Sequence, residues 1–136
     1  MIITAIDNTD FGKASMIIDN LDPKKCMVKI GSVAFNSSGP KLIHYAAENG
    51  FKIFLDLKLH DIPNTVKKSI GGLTSLPISM LTIHISGGKD MILAAKEAVE
   101  MGSTQKMAYV RRCEDSLRKK LERNDEWFIV EHSSIL

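Results

Sequence analysis

Asp56, Lys58 and Asp61 follow one another as D-x-K-x-x-D within "FKIFLDLKLHDIPNTVKKS", residues 51–69. The stretch begins as an apolar strand pattern and runs directly into ionisable side chains. Side chains two apart on a strand point to the same side, so Asp56 and Lys58 are expected to project together. An ammonium held between carboxylates keeps its charge, because opposite charges favour the ionised form. A cation fixed in this way can stabilise developing negative charge and serve as a general acid. Taken alone, the motif is more plainly a structural ion pair at a strand end, with Asp61 as the N-cap of the next helix. Other strand ends change that weighting. Asp7 ends the first apolar run, Lys29 lies near the end of the second, and His84 lies near the end of the fourth. Parallel α/β proteins bind ligands at the carboxyl ends of their strands. Ionisable groups gathered on one such rim mark a candidate active site.

The elements that would position these groups alternate between two periods. Residues 2–6 read as a short buried strand, and Phe11, Ala14, Ile17, Ile18 and Leu21 recur at helical spacing until Asp22-Pro23. Residues 27–30 form the second strand, closed by Gly31. Ser37, Ser38 and Pro40 open a second helix, with Leu42, Ile43, Ala46 and Ala47 on one face and Gly50 at its C-terminal cap. Residues 52–57 are strand three, and Pro63 suits the first turn of helix three, which Gly71-Gly72 weakens or ends. Residues 78–85 are strand four. Ser86-Gly87-Gly88 leads into helix four, lined by Ile92, Ala95, Ala98 and Val99 and closed by Gly102, and residues 106–110 give a fifth strand. Strands alternating with helices at this spacing predict a parallel sheet with crossover helices. An open doubly wound sheet and part of an eight-fold barrel both satisfy that pattern.

The 136 residues suffice for one domain and one core. A net charge of +2 is too small to indicate nucleic acid or an acidic membrane surface as partner. Lys24-Lys25, Lys67-Lys68, Arg111-Arg112 and Lys119-Lys120 read as parts of solvated faces. The N-terminal residues carry no basic stretch before their apolar run, so no signal peptide is expected. No apolar run approaches the roughly 20 residues of a membrane span. Cys26 and Cys113 are far apart and have no metal-type spacing, which suits a reduced, cytoplasmic setting. After Val110 the character changes. Residues 111–126 are mostly charged, Val110, Cys113, Leu117 and Leu121 could line one helix, and Trp127 to Val130 could form a strand or docking segment.

The motif and its flanks together resemble the orotidine 5′-phosphate decarboxylase family. "FLDLKLHDIPNT" resembles that family's signature, and "AIDN", "VKIG", "GPKLIHYAAENGF" and "TIHISGG" agree with it in order and spacing. D-x-K-x-x-D alone is shared with related sugar-phosphate decarboxylases and aldol-type enzymes, and Ile62-Pro63-Asn64-Thr65 favours the orotidine enzyme. The resemblance covers roughly residues 2–110. It implies an α/β fold that is part of a (β/α)8 barrel, with about five parallel strands and a charged extension over residues 111–136. It also implies a dimer without metal or organic cofactor that converts orotidine monophosphate to UMP and CO2 in pyrimidine biosynthesis. Carried over by position, Lys58 would donate a proton to C6 of the pyrimidine, and Asp56 would lie against the departing carboxylate. Asp61 would enter the neighbouring subunit's site with Thr65 beside it. Asp7 and Lys29 would contact the ribose hydroxyls and the charge network. His84 and Ser86 match the strand-four segment.

Such barrels take about 250 residues and usually bind phosphate at the loops after strands seven and eight. No Gly or Pro follows Gly102 here, and "AYVRRCEDSL" replaces the Thr and Ser residues expected to meet the pyrimidine. The expectation is therefore a truncated enzyme, impaired or silent, that lacks the phosphate-binding half and forms a homo-oligomer partly through "HDIPNT". The alternatives are a non-catalytic half-barrel module and another sugar-phosphate lyase of the same superfamily.

Overall fold

Five strands, the first four each followed by helical segments, wind into one parallel sheet. The structure is a computed structural model that describes residues 2–102 and the backbone of residues 108–111. Strands β1 (Ile2–Ile6), β2 (Cys26–Gly31), β3 (Ile53–Leu59), β4 (Met80–Ile83) and β5 (Ala108–Arg111) lie in the order β1-β2-β3-β4-β5, every pair parallel. Between them run helices α1 (Phe11–Asp19), α2 (Ser32–Ser38), α3 (Pro40–Glu48), α4 (Pro63–Leu73) and α5 (Gly88–Gly102).

This order decides between the two architectures left open by periodicity. A doubly wound sheet reverses its strand order at a switch point. Here each strand simply adds beside its predecessor, as in a barrel. Crossovers of one hand then place every helix on the same face, and the burial pattern agrees. One large core joins strand residues Ile6, Val28, Ile30, Ile53, Leu55 and Leu81 to helix residues such as Ile18, Leu42, Ile43, Ile70 and Met91. The opposite face carries a small cluster of strand residues alone: Met27, Phe54 and Met80, with Ile3 packed against it. That face is the inside of a partial (β/α)8 barrel.

Several boundaries differ from the sequence-based expectation. Helix α2 covers residues 32–36, to which the sequence pattern assigns no element, together with Ser37 and Ser38, and Pro40 starts α3 instead of sharing a helix with those serines. Ser32–Ser38 is rich in residues that compete with helical hydrogen bonding, but Ala34 buries fully against the core. Gly39, at φ 56°, ends α2, and Pro40 takes the first position of α3. Gly71-Gly72 does not end α4, which continues to Leu73. Strand four is Met80–Ile83, shorter than the expected 78–85, because Ile85–Gly87 coils into a 3-10 turn. Val110 belongs to β5, not to a helical stripe. The expected features at Cys113, Leu117, Leu121 and residues 127–130 lie outside the described residues. Asp61 is not the N-cap of α4. That position is Ile62, without a side-chain cap, and the Asp61 carboxylate accepts the Ile62 backbone N–H at 2.6 Å. Asp10 does cap its helix, accepting from the Lys13 N–H at 2.8 Å.

Helices α4 and α5 pack closely where Gly102 meets Thr74. A Cβ built on Gly102 would sit 2.7 Å from the Thr74 Cβ. That atom does not move with χ1, so rotation of Thr74 offers no escape. Gly102→Ala is therefore expected to lower the unfolding free energy by about 1–3 kcal/mol, the usual cost of overpacking. Ordinary helix propensity predicts the opposite sign, so urea denaturation gives a clean reading. An unchanged or higher midpoint would show that the helices can part at no cost.

Candidate active site

The inner face of the sheet sorts its residues by height. Lys29, Asp56 and Thr82 each stand two positions beyond a member of the small apolar cluster, Met27, Phe54 and Met80 respectively. Residues two apart share a strand face. Three polar side chains thus stand on an apolar floor, on three adjacent strands, toward the carboxyl ends of those strands.

The carboxylate of Asp56 is the hub. Its side chain is only 7% exposed. Oδ2 accepts from Lys58 Nζ at 2.8 Å and from Lys29 Nζ at 3.2 Å, and Oδ1 accepts from Thr82 Oγ1 at 2.9 Å. Lys29 is 21% exposed and Lys58 is 55% exposed, so one ammonium is held low and the other reaches toward solvent. Burial pushes the Asp56 carboxyl upward, but hydrogen bonds from Lys58, Thr82 and Lys29 and the nearby Lys58 charge outweigh it. The balance holds Asp56 below the usual aspartate value.

A depressed folded-state value makes the charged network a source of stability at neutral pH. The contribution is complete above the unfolded aspartate value of about 3.9 and is lost as pH falls through the lower folded value. Urea midpoints measured from pH 6 downward should therefore fall below about pH 4. The part of that fall due to this carboxylate should vanish in Asp56→Asn. If the variant showed the same acid dependence as the parent, other carboxylates would be responsible.

Local backbone geometry aims Lys58. Its φ is 52°, and it is the one non-glycine residue with positive φ among the described residues. Lysine has no intrinsic preference for this left-handed region, which costs roughly 1–3 kcal/mol where the surroundings impose it. The β3–β4 register shifts at the same place: Leu55 pairs with Leu81 and Leu59 with Ile83, so β3 carries extra residues opposite Thr82. Such a bulge re-aims a side chain. The Lys58 backbone N–H, displaced from the ladder, donates to Thr82 Oγ1 at 2.8 Å.

The remaining expected residues lie around this hub at different ranges. Asp7 is exposed at the end of β1, with Oδ1 3.1 Å from where a Gly31 Cβ would stand, and Gly31 pairs with Asp56. His84 follows β4, and its ring lies 5.2 Å from that of His60, tilted by 42°. Ser86 is exposed in the 3-10 turn, and Asp61 and Thr65 are exposed at the start of α4. Among the described residues Asp61 has no ion pair with a lysine. Asp56, Lys58 and Lys29 are thus directly joined, Asp7 borders them, and Asp61, Thr65 and Ser86 are exposed without a bond to the hub among the described residues. Thr82 was not among the expected site residues. Its signal was a lone hydroxyl in the buried run Met80–Ile83, two positions after Met80 and two before His84.

Comparisons with known proteins bear on the family and the fold. The model of the orotidine 5′-phosphate decarboxylase / HUMPS family matches residues 1–126. An orotidine 5′-phosphate decarboxylase of Wigglesworthia glossinidia brevipalpis is 48% identical over 98 residues, covering 72% of this chain and 42% of that protein. One from Saccharophagus degradans is 43% identical over 99 residues, covering 73% and 42% respectively. The crystal structure of orotidine 5′-phosphate decarboxylase from Lactobacillus acidophilus superposes with a TM-score of 0.71 at 35% identity, over 89% of this chain and 58% of that one. The chain therefore spans about two fifths of the length of these curated relatives. With the family model matched over residues 1–126 and the sheet order that of a barrel, this chain belongs to the orotidine 5′-phosphate decarboxylase / HUMPS family.

Proposed function

We propose that the chain carries the proton-donating side of an orotidine 5′-phosphate decarboxylase-type carboxy-lyase, which converts orotidine monophosphate to UMP and CO2. One observation carries the reading: the Lys58 ammonium lies 2.8 Å from a buried carboxylate at the mouth of the sheet's inner face. As the bond from C6 to the carboxylate carbon breaks, its electron pair stays on C6. A fixed cation stabilises that charge, and Lys58 then transfers a proton to C6, to be re-protonated from solvent. Asp56 lies against the departing carboxylate and fixes the ammonium. Lys29 shares Asp56 with Lys58 and, with Asp7, contacts the ribose hydroxyls. His84 and Ser86 border the substrate from the β4 side. The reaction proposed needs neither metal nor organic cofactor.

Asp61 and Thr65 act in a neighbouring subunit's site under this reading. Their exposure, and the absence of an Asp61 ion pair among the described residues, support that role. The partner is a second copy of the chain, and the setting is the cytoplasm. Among the described residues no helix is long and apolar enough to cross a membrane. The 136-residue chain alone should turn over weakly, because contacts to a remote phosphate provide binding energy that drives such reactions.

Calorimetric titration with UMP, beside a CO2-release assay at high protein concentration, tests the proposal. Saturable heat with UMP and CO2 release above the uncatalysed background are expected. Neither signal would leave a half-barrel module without nucleotide chemistry as the better account.

A further inference from the structure

We infer that Thr82 is a positioning residue: its hydroxyl holds the Lys58 backbone in its left-handed conformation and locks the Asp56 carboxylate under the Lys58 ammonium. Three observations meet at this one side chain. The β3–β4 register shift leaves the Lys58 N–H without a partner in the ladder, and Thr82 Oγ1 accepts it at 2.8 Å. The same oxygen lies 2.9 Å from Asp56 Oδ1. Lys58 is the residue whose φ is positive.

Hydrogen-bond valence fixes the direction of the relay. A backbone N–H can only donate, so Thr82 Oγ1 must accept from it. The hydroxyl's single hydrogen then points at Asp56 Oδ1, and an ionised carboxylate can only accept. Thr82 is buried, so water cannot easily replace either bond. The groups facing Asp56 are therefore Lys58 from its own strand, Lys29 from β2 and Thr82 from β4, with Asp7 beyond Gly31 at the end of β1. Of these, only Thr82 is bonded to both the Asp56 carboxylate and the Lys58 backbone, through its one neutral hydroxyl. It does not touch the reacting atoms under the proposed chemistry, and it acts through Lys58 and Asp56.

The catalytic consequence rests on the decarboxylase reading, but the geometric claim does not, and the test separates them. Thr82→Val keeps the shape and the strand preference and removes the hydroxyl, and Thr82→Ser restores it. Three readouts apply to the full chain: amide hydrogen exchange at Lys58, the carboxyl titration of Asp56 by carbon-detected NMR, and single-turnover CO2 release. In the parent the Lys58 amide should be protected. In Thr82→Val it should lose that protection, Asp56 should titrate at higher pH, and turnover should fall about 10- to 100-fold with little change in KM, as expected for a misaimed group. Thr82→Ser should keep all three near the parent. If Thr82→Val does not fold, Thr82→Ala removes the same hydroxyl with less bulk. An unprotected Lys58 amide in the parent, or an Asp56 titration unmoved in Thr82→Val or Thr82→Ala, would overturn the inference. If no protein releases CO2, the decarboxylase reading fails, while the exchange and titration results still decide the role of Thr82.

Discussion

Lys58→Ala is expected to reduce single-turnover CO2 release by about three powers of ten or more, the scale of losing a positioned acid together with an electrostatic stabiliser. The structure explains why no neighbour can substitute. Lys29 is the nearest other ammonium, but it is 21% exposed and lies lower on the inner face, bound to the same Asp56 oxygen at 3.2 Å. Among the described residues, only the bulged, left-handed position at 58 puts an ammonium both on the Asp56 carboxylate and largely in solvent. The substitution should scarcely unfold the protein. Lys58 is 55% exposed, and Asp56 keeps Lys29 and Thr82 as partners. The assay is run at protein in excess over substrate, with circular dichroism as a check on folding. A rate within tenfold of the parent would remove Lys58 from the chemistry.

Leu55→Ala is expected to have the largest effect on stability, about 2–5 kcal/mol, out of the roughly 5–15 kcal/mol typical of a domain. Leu55 is fully buried on the helix-facing side of β3, between β2 partner Ile30 and β4 partner Leu81, both also fully buried. Strands on both sides limit how far the cavity can collapse, and that limit sets the cost. Urea unfolding measures it. A loss below 1 kcal/mol would show that the sheet relaxes around the gap. Because Leu55 immediately precedes Asp56, the variant should also lose some site order, visible as weaker protection of the Lys58 amide.

Much of this was legible in the chain. The five-strand alternation came from two periodicities, and the apolar runs read at 52–57 and 78–85 overlap the observed strands Ile53–Leu59 and Met80–Ile83. The placing of Asp56 and Lys58 on one side followed from spacing, and the structure joins them. The route differs from the one expected, however. Simple alternation does not bring Lys58 to Asp56; a bulge and a positive φ do. Nothing in a lysine codon signals that backbone state, because the strain is imposed by the partner strand and not chosen by the residue. Thr82 was hidden for a related reason. Its importance depends on which strand lies beside β3, and that is a property of sheet order. Helix α2 was missed because Ser32–Ser38 has weak local preference and forms a helix through the burial of Ala34. Asp61 looked like a cap because its type and spacing suit one, yet Pro63 at the first turn already dispenses with one N–H, and the carboxylate turns to its own neighbour.

The sorting of the inner face by height has a consequence for how acidity is encoded in this sheet. Met27, Phe54 and Met80 make a dry layer one step below Lys29, Asp56 and Thr82. A carboxyl group moved down that single step, as in Phe54→Asp, would lie between its register partners Lys29 on β2 and Met80 on β4, beside the ammonium already bound to Asp56. Two carboxylates on one face of β3 would then compete for a single half-buried ammonium, and their mutual repulsion would raise the proton affinity of the pair.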